Sequence, residues 1–202
     1  MQMKNTLLVT ALTLALSACA SSESETKSAI TETAKQSKIE MTNKAMEAVD
    51  LNNGDLYEAH VEGRIYVFDD FDTYQEFLSV GETSFRQTFI GAGPNGETIV
   101  YGMTSEDKKK HFSKIAAYNL YMGTLAPSES FYGEMRMENR IYVFDSVEDM
   151  KSVREVGEAS LRYTDIGSGP KGETVVYVLR NDNKKVKPVA MIEEFKKHNN
   201  IK

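Results

Sequence analysis

The chain has 202 residues, with 24 Lys plus Arg against 30 Asp plus Glu, a net charge of −6 and a single Cys. It contains no long basic run, which argues against a nucleic-acid partner because phosphate binding needs a basic face. One Cys excludes an intrachain disulfide and a Cys-based zinc site, so stability must come from a core built out of the 41% of hydrophobic residues.

In chain order, the first 18 residues read as a leader. Lys4 supplies a positive start, Leu7 to Leu16 is an apolar run broken only by Thr10 and Thr13, and small residues follow. The run is too short for a bilayer, which takes about 20 apolar residues, and the three features together describe a secretory signal. Leu16-Ser17-Ala18-Cys19 then resembles the lipobox of bacterial lipoproteins, in which Leu and two small residues precede a Cys. The resemblance implies cleavage before Cys19, acylation of its thiol with diacylglycerol and acylation of the new N-terminus. Two or more acyl chains anchor stably, since each buried CH₂ contributes about 0.8 kcal/mol. Ala20 where an Asp would signal inner-membrane retention points, by the same resemblance, to the outer membrane facing the periplasm. The covalent lipid is the only cofactor expected, and the membrane is the first expected partner. Loss of Lys4 with the leader leaves 23 Lys plus Arg against 30 Asp plus Glu, a net charge of −7.

Residues 19–38 follow Cys19 with Ser, Thr, Glu and Lys and few large apolar groups. Such a segment buries too little surface to offset its ordering entropy and is expected to act as a tether. Ile39 to Val49 carries a helical stripe of Ile39, Ala45, Met46 and Val49, closed by the turn residues Asn52-Asn53-Gly54.

The remainder repeats itself at an offset of 76. Arg64-Ile65-Tyr66-Val67-Phe68-Asp69 recurs as Arg140 to Asp145, Val80-Gly81-Glu82 as Val156-Gly157-Glu158, and Gly93-Pro94-Asn95-Gly96-Glu97-Thr98 as Gly169 to Thr174. One supersecondary unit used twice is the physical reading. Each copy predicts a hairpin, at Tyr57 to Val61 and Arg64 to Phe68 in the first. A helix follows, capped by Asp70 or Ser146 and stopped at Gly81 or Gly157. Two more strands then flank the Gly-Pro turn, at Phe85 to Ile90 and Thr98 to Tyr101 in the first copy. Closing helices are expected at 112–121 and 189–197. The predicted architecture is α+β: two tandem ββαββ repeats, residues 39–125 and 126–202, with antiparallel sheets covered on one face and a pseudo-two-fold relation. Ile65/Ile141, Val67/Val143 and Ile90/Ile166 are the expected core pairs.

Gly91 to Gly96 and Gly167 to Gly172 fit the pattern G-x-G-x-x-G, but the dinucleotide reading requires a helix after the motif. Here Glu97-Thr98-Ile99-Val100-Tyr101 reads as a strand, so a hairpin turn is expected. Arg64, Asp69, Glu82, Arg86 and Glu97 are retained as Arg140, Asp145, Glu158, Arg162 and Glu173. Helix caps and Arg–Glu pairs explain such retention. The functional alternative sets Arg86 and Arg162, with Arg64 and Arg140, around a cleft between the units to grip a small anionic ligand, because the planar guanidinium meets an oxyanion with two hydrogen bonds. No metal site is expected from the scattered His60, His111 and His198. Met135 and Met137 share a strand face and are the one candidate copper pair, as thioethers suit Cu(I). No nucleophile elbow or Ser-His-Asp spacing suggests catalysis.

The segment Gly63-Arg64-Ile65-Tyr66-Val67-Phe68 with its following helix also resembles YHS-type domains and the copper lipoproteins of nitrous-oxide reductase maturation. It departs from them in lacking the metal-binding Cys and a Cys-Gly-Met motif. The functional expectation is a lipid-anchored binding or interaction protein without catalysis, taking a protein or a small anionic ligand and no nucleic acid. The alternatives are a copper-handling lipoprotein and an enzyme without a recognisable motif.

Overall fold

The computed structural model describes residues 51–201. The expected leader, Cys19, the tether and the helix at 39–49 lie outside the described residues. Eight strands form one sheet: β1 (Asp55–Val61), β2 (Arg64–Phe68), β3 (Phe85–Phe89), β4 (Thr98–Met103), β5 (Tyr132–Met137), β6 (Arg140–Phe144), β7 (Arg162–Asp165) and β8 (Thr174–Val178), in the order β3-β4-β2-β1-β5-β6-β8-β7. Four α-helices accompany it: α1 (Phe71–Val80), α2 (Ala116–Tyr121), α3 (Val147–Val156) and α4 (Val189–His198).

Local chemistry accounts for the elements. Glu62-Gly63 and Glu138-Asn139 all have positive φ, the combination that closes two-residue hairpins with the correct twist. Asp70 accepts the Thr73 N–H at 2.8 Å and starts α1, while Ser146 accepts the Asp149 N–H at 3.3 Å and starts α3. Both helices stop at a left-handed glycine, Gly81 or Gly157, whose N–H returns to Phe77 or Val153.

The expectation of antiparallel sheets covered on one face is corrected. β1 and β5 pair in parallel, as do β2 with β4 and β6 with β8, so the antiparallel sheet is interrupted by three parallel seams. Successive side chains on a strand point to opposite faces, and both faces here are buried. Leu56, Ile65, Val67, Met135, Tyr142 and Phe144 pack with α2 and α3. Tyr57, Phe68, Ile141, Val143 and Tyr177 pack with α1 and α4. Inner strands covered on both sides read as continuous apolar runs, as Thr174-Val175-Val176-Tyr177-Val178 does.

The core assignment of Ile90 and Ile166 is also corrected. They are 89% and 84% exposed, because β3 and β7 end one residue earlier and both isoleucines fall in the Gly-Pro turns. Those turns are followed by strands β4 and β8, each antiparallel to the strand before it.

Candidate functional site

Two carboxylates are fully buried at the centre of the sheet, Glu58 on β1 and Glu134 on β5. They are 76 positions apart and point to opposite faces. Glu58 faces α3, where Arg154 Nε donates to both of its oxygens at 3.0 Å and Nη2 donates a further bond. His60 Nε2 lies 3.1 Å from the same carboxylate. Burial opposes the charge of Glu58, but Arg154 and His60 outweigh it and hold the carboxyl below its usual range. The Arg154 guanidinium rests 3.9 Å above the ring of Tyr121, at the end of α2.

On the other face, Glu134 accepts from the Tyr74 hydroxyl at 2.9 Å, Tyr132 at 3.1 Å, Asn199 Nδ2 at 3.0 Å and Arg136 Nε at 3.3 Å. Arg136 Nη1 continues to Glu173 at 2.7 Å. Burial first, and the Glu134 charge second, raise the phenols of Tyr74 and Tyr132 well above the ordinary value. In each cluster a carboxylate from one sequence repeat is held by a group from the other: Arg154 for Glu58, Tyr74 for Glu134.

Two concavities flank this centre. A groove of about 830 Å³ lies between α4 and the starts of β1 and β5, lined by Asp55, Glu129, Tyr132, Asp145, Glu194 and His198 among others. Phe131, Phe144 and Met191 give it apolar wall. Glu194 is 3.1 Å from Lys197 and 3.4 Å from His198, and the His198 ring stacks on Tyr132 at 4.1 Å. Burial raises the carboxyl of Asp55, with the neighbouring His198 acting against it. Arg180, also at the groove, is held by Asp145 and Asp149. Four carboxylates therefore meet Arg180 and Lys197, leaving an acidic excess. A smaller cleft of about 230 Å³ runs between the first Gly-Pro turn, at Ala92 and Pro94, and α3, at Lys151, Arg154 and Glu155.

The four arginines expected around an inter-repeat cleft do not converge. Arg86 on β3 and Arg162 on β7 occupy the two outer edges of the sheet, because the β1–β5 pairing places those strands outermost. Arg64 and Arg86 line one cavity of about 290 Å³ beside Glu82. Arg162 donates to the Ala159 carbonyl at 2.7 Å and lies 3.5 Å from Glu158. Arg140 is exposed on β6. Met135 is sealed in the core against α2 and α3, with Met137 half-buried on the same face. Among the described residues no group of three or more His, Cys, Asp or Glu is placed to hold a metal ion, and no helix is long and apolar enough to cross a membrane.

Sequence reasoning missed Glu58, Glu134 and Arg154. The first two carried a signal, an acidic residue inside an apolar strand at the repeat offset. Arg154 carried none, since the position 76 earlier is Leu78. No family model, curated protein or solved structure matches the chain.

Proposed function

We propose that the chain is a lipid-anchored envelope protein that binds a ligand without transforming it, with Cys19 as the anchor and the groove under α4 as the binding site. In this reading the described part is two copies of a ββαββ unit, each followed by a helix. A two-fold axis lying in the sheet between β1 and β5 relates them. That operation keeps strand direction and exchanges the faces, which fits the parallel β1–β5 pairing and the opposite facing of Glu58 and Glu134.

The observation that carries the binding role is the groove, large enough at about 830 Å³ for a small organic molecule and built from Asp55 of the first copy with Tyr132, Glu194 and His198 of the second. Ligand sites characteristically combine apolar wall with a few convergent polar groups. The excess of carboxylates over Arg180 and Lys197 favours a ligand bearing a cationic or hydrogen-bond-donating group, and the aromatic rings of Phe131 and Tyr132 suit its apolar part.

The reading is tested by thermal melting of the full-length protein with choline, spermidine and neutral sugars, alongside Ala190→Trp, which fills the groove from α4. A cationic compound should raise the melting temperature of the parent and leave that of the variant unchanged. Equal stabilisation of both proteins, or of neither, would refute the groove as the site. Metabolic labelling with an alkyne fatty acid tests the anchor: label should enter the parent and not Cys19→Ser.

A further inference from the structure

The cleft beside Arg154 carries an inference independent of the groove. Arg154 is 4% exposed at its side chain, and its Nε and Nη2 are taken by Glu58. Among the described residues Nη1 has no hydrogen-bond partner. The hydroxyl of Tyr121, whose ring lies beneath the guanidinium, is buried with no hydrogen-bond partner among the described residues. A buried donor left unmade is costly, and the Tyr121 hydroxyl is one; Tyr121 and Arg154 both line the cavity of about 230 Å³. Arginine also presents its donors in a planar fork that matches an oxyanion.

The surroundings agree. Lys151 and Glu155 form the α3 side of the cleft, 3.9 Å apart and both more than half exposed, an arrangement too loose to hold the lysine in place. Across from them, Ala92 and Pro94 form the turn side of the cleft, and Glu97 of the same turn lies outside the lining though close enough for its charge to act on Tyr121. The site spans the two sequence repeats, as Tyr121 and Pro94 precede residue 126 and Arg154 follows it. The helix position equivalent to Arg154 is the apolar Leu78, so a helix of this repeat does not itself require a cation there.

We propose that this cleft binds a small oxyanion, a carboxylate or a phosphate, through the free edge of Arg154 and the hydroxyl of Tyr121, with Lys151 closing over it. Arg154 then serves two anions, Glu58 inside and the ligand outside, and the ligand supplies acceptors that the described residues do not.

The test is calorimetric titration of the full-length protein with inorganic phosphate and with acetate at constant ionic strength. Saturable binding of phosphate alone assigns a phosphate group, binding of acetate alone a carboxylate, and binding of both a general oxyanion site. Tyr121→Phe removes only the unpartnered hydroxyl and should weaken binding about ten-fold or more, the worth of one hydrogen bond to a charged group. Glu58→Gln should tighten it, because Arg154 loses its competing anion. Melting curves establish that both variants are folded. Absence of saturation with both salts, or unchanged affinity in a folded Tyr121→Phe protein, would overturn the proposal.

Discussion

Asp69 and Asp145 occupy equivalent positions in the two sequence repeats, one residue after β2 and β6, and do different work. Asp69 accepts the Ala117 N–H at 2.8 Å and so caps α2 from another element; Ile115, which precedes α2, offers no side-chain cap. Asp145 instead faces Arg180. The position equivalent to Arg180 is Thr104, which donates to Asp107 at 2.7 Å and leaves Asp69 free for the helix. With Asp145 diverted, α4 begins at Pro188 without a side-chain cap, and the space beside it is the 830 Å³ groove. A retained residue thus need not keep its role, and the unmatched partner, Arg180 against Thr104, marks where the two repeats part. Function is better sought at the second kind of position.

The largest effect is expected from separating the repeats. A fragment of residues 39–125 exposes the β1 edge that β5 covers and leaves Glu58 without Arg154. Pairing with a second copy of itself would set Leu78 of that copy where Arg154 stands, so Glu58 would be buried with only His60 beside it. We expect the fragment to be unfolded by circular dichroism. Leu78→Arg within it should restore the cation and give a folded dimer by analytical ultracentrifugation. A monomeric fragment as stable as the parent would mean that the two repeats fold independently.

Next in size is the cross-repeat ion pair within the whole chain. Arg154→Ala should cost about 3–5 kcal/mol in urea unfolding, because it strands a buried carboxylate. Arg154→Leu combined with Glu58→Leu should recover most of that loss, since replacing both members of a buried pair by apolar groups is often neutral. A double variant as damaged as the single one would show that packing, rather than charge, sets the cost.

The elements were legible because short-range rules governed them. The hairpin turns, the Asp70 and Ser146 caps and the Gly81 and Gly157 stops all depend on residues within four positions of one another. Global arrangement was not legible, because it hangs on one strand pairing. Parallel contact between Leu56 and Gly133 joins the repeats into a single sheet, and no local pattern in β1 or β5 announces a parallel neighbour. The candidate arginines failed for the same reason. Arg86 and Arg162 are retained, yet the pairing sends them to opposite edges, while Arg154, with Leu78 as its counterpart, sits at the join.

The two aspartates should also differ in how stability responds to pH. Burial, with Asp107 adding to it, pushes Asp69 up to about 6 from an ordinary value of 3.8. The folded state therefore holds a proton that the unfolded state has released between those values. Its contribution is full below pH 4 and declines as pH rises to about 6. Asp69→Asn, neutral throughout, should gain on the parent by about 2 kcal/mol between pH 4 and 7. Asp145→Asn breaks a pair with both side chains more than a third exposed and should change stability by less than about 1 kcal/mol, with loss fading as salt is added. A flat pH profile for the Asp69 difference would remove the contrast.

The smallest difference between the repeats is expected in the Gly-Pro turns, where they are most alike. Gly96 and Gly172 have φ of +85° and +81°, and a Cβ at either would meet nothing within 4 Å. Valine at either place is therefore penalised by backbone strain alone, about 1–3 kcal/mol. The turns differ in what they carry. Both Glu97 and Glu173 receive a backbone N–H from within the turn, at 2.8 Å from Asn95 and 2.7 Å from Lys171. Only Glu173 continues to Arg136 and through it to the buried Glu134. Gly172→Val shifts the end of that chain, so it should cost a few tenths of a kcal/mol more than Gly96→Val, on the scale of one partly exposed ion pair. Melting curves of the two variants, each repeated with Glu173→Gln, would measure the difference. Its disappearance in the Glu173→Gln background assigns it to the Arg136 contact, and its persistence there would mean that the turns differ for some reason other than the ion pair.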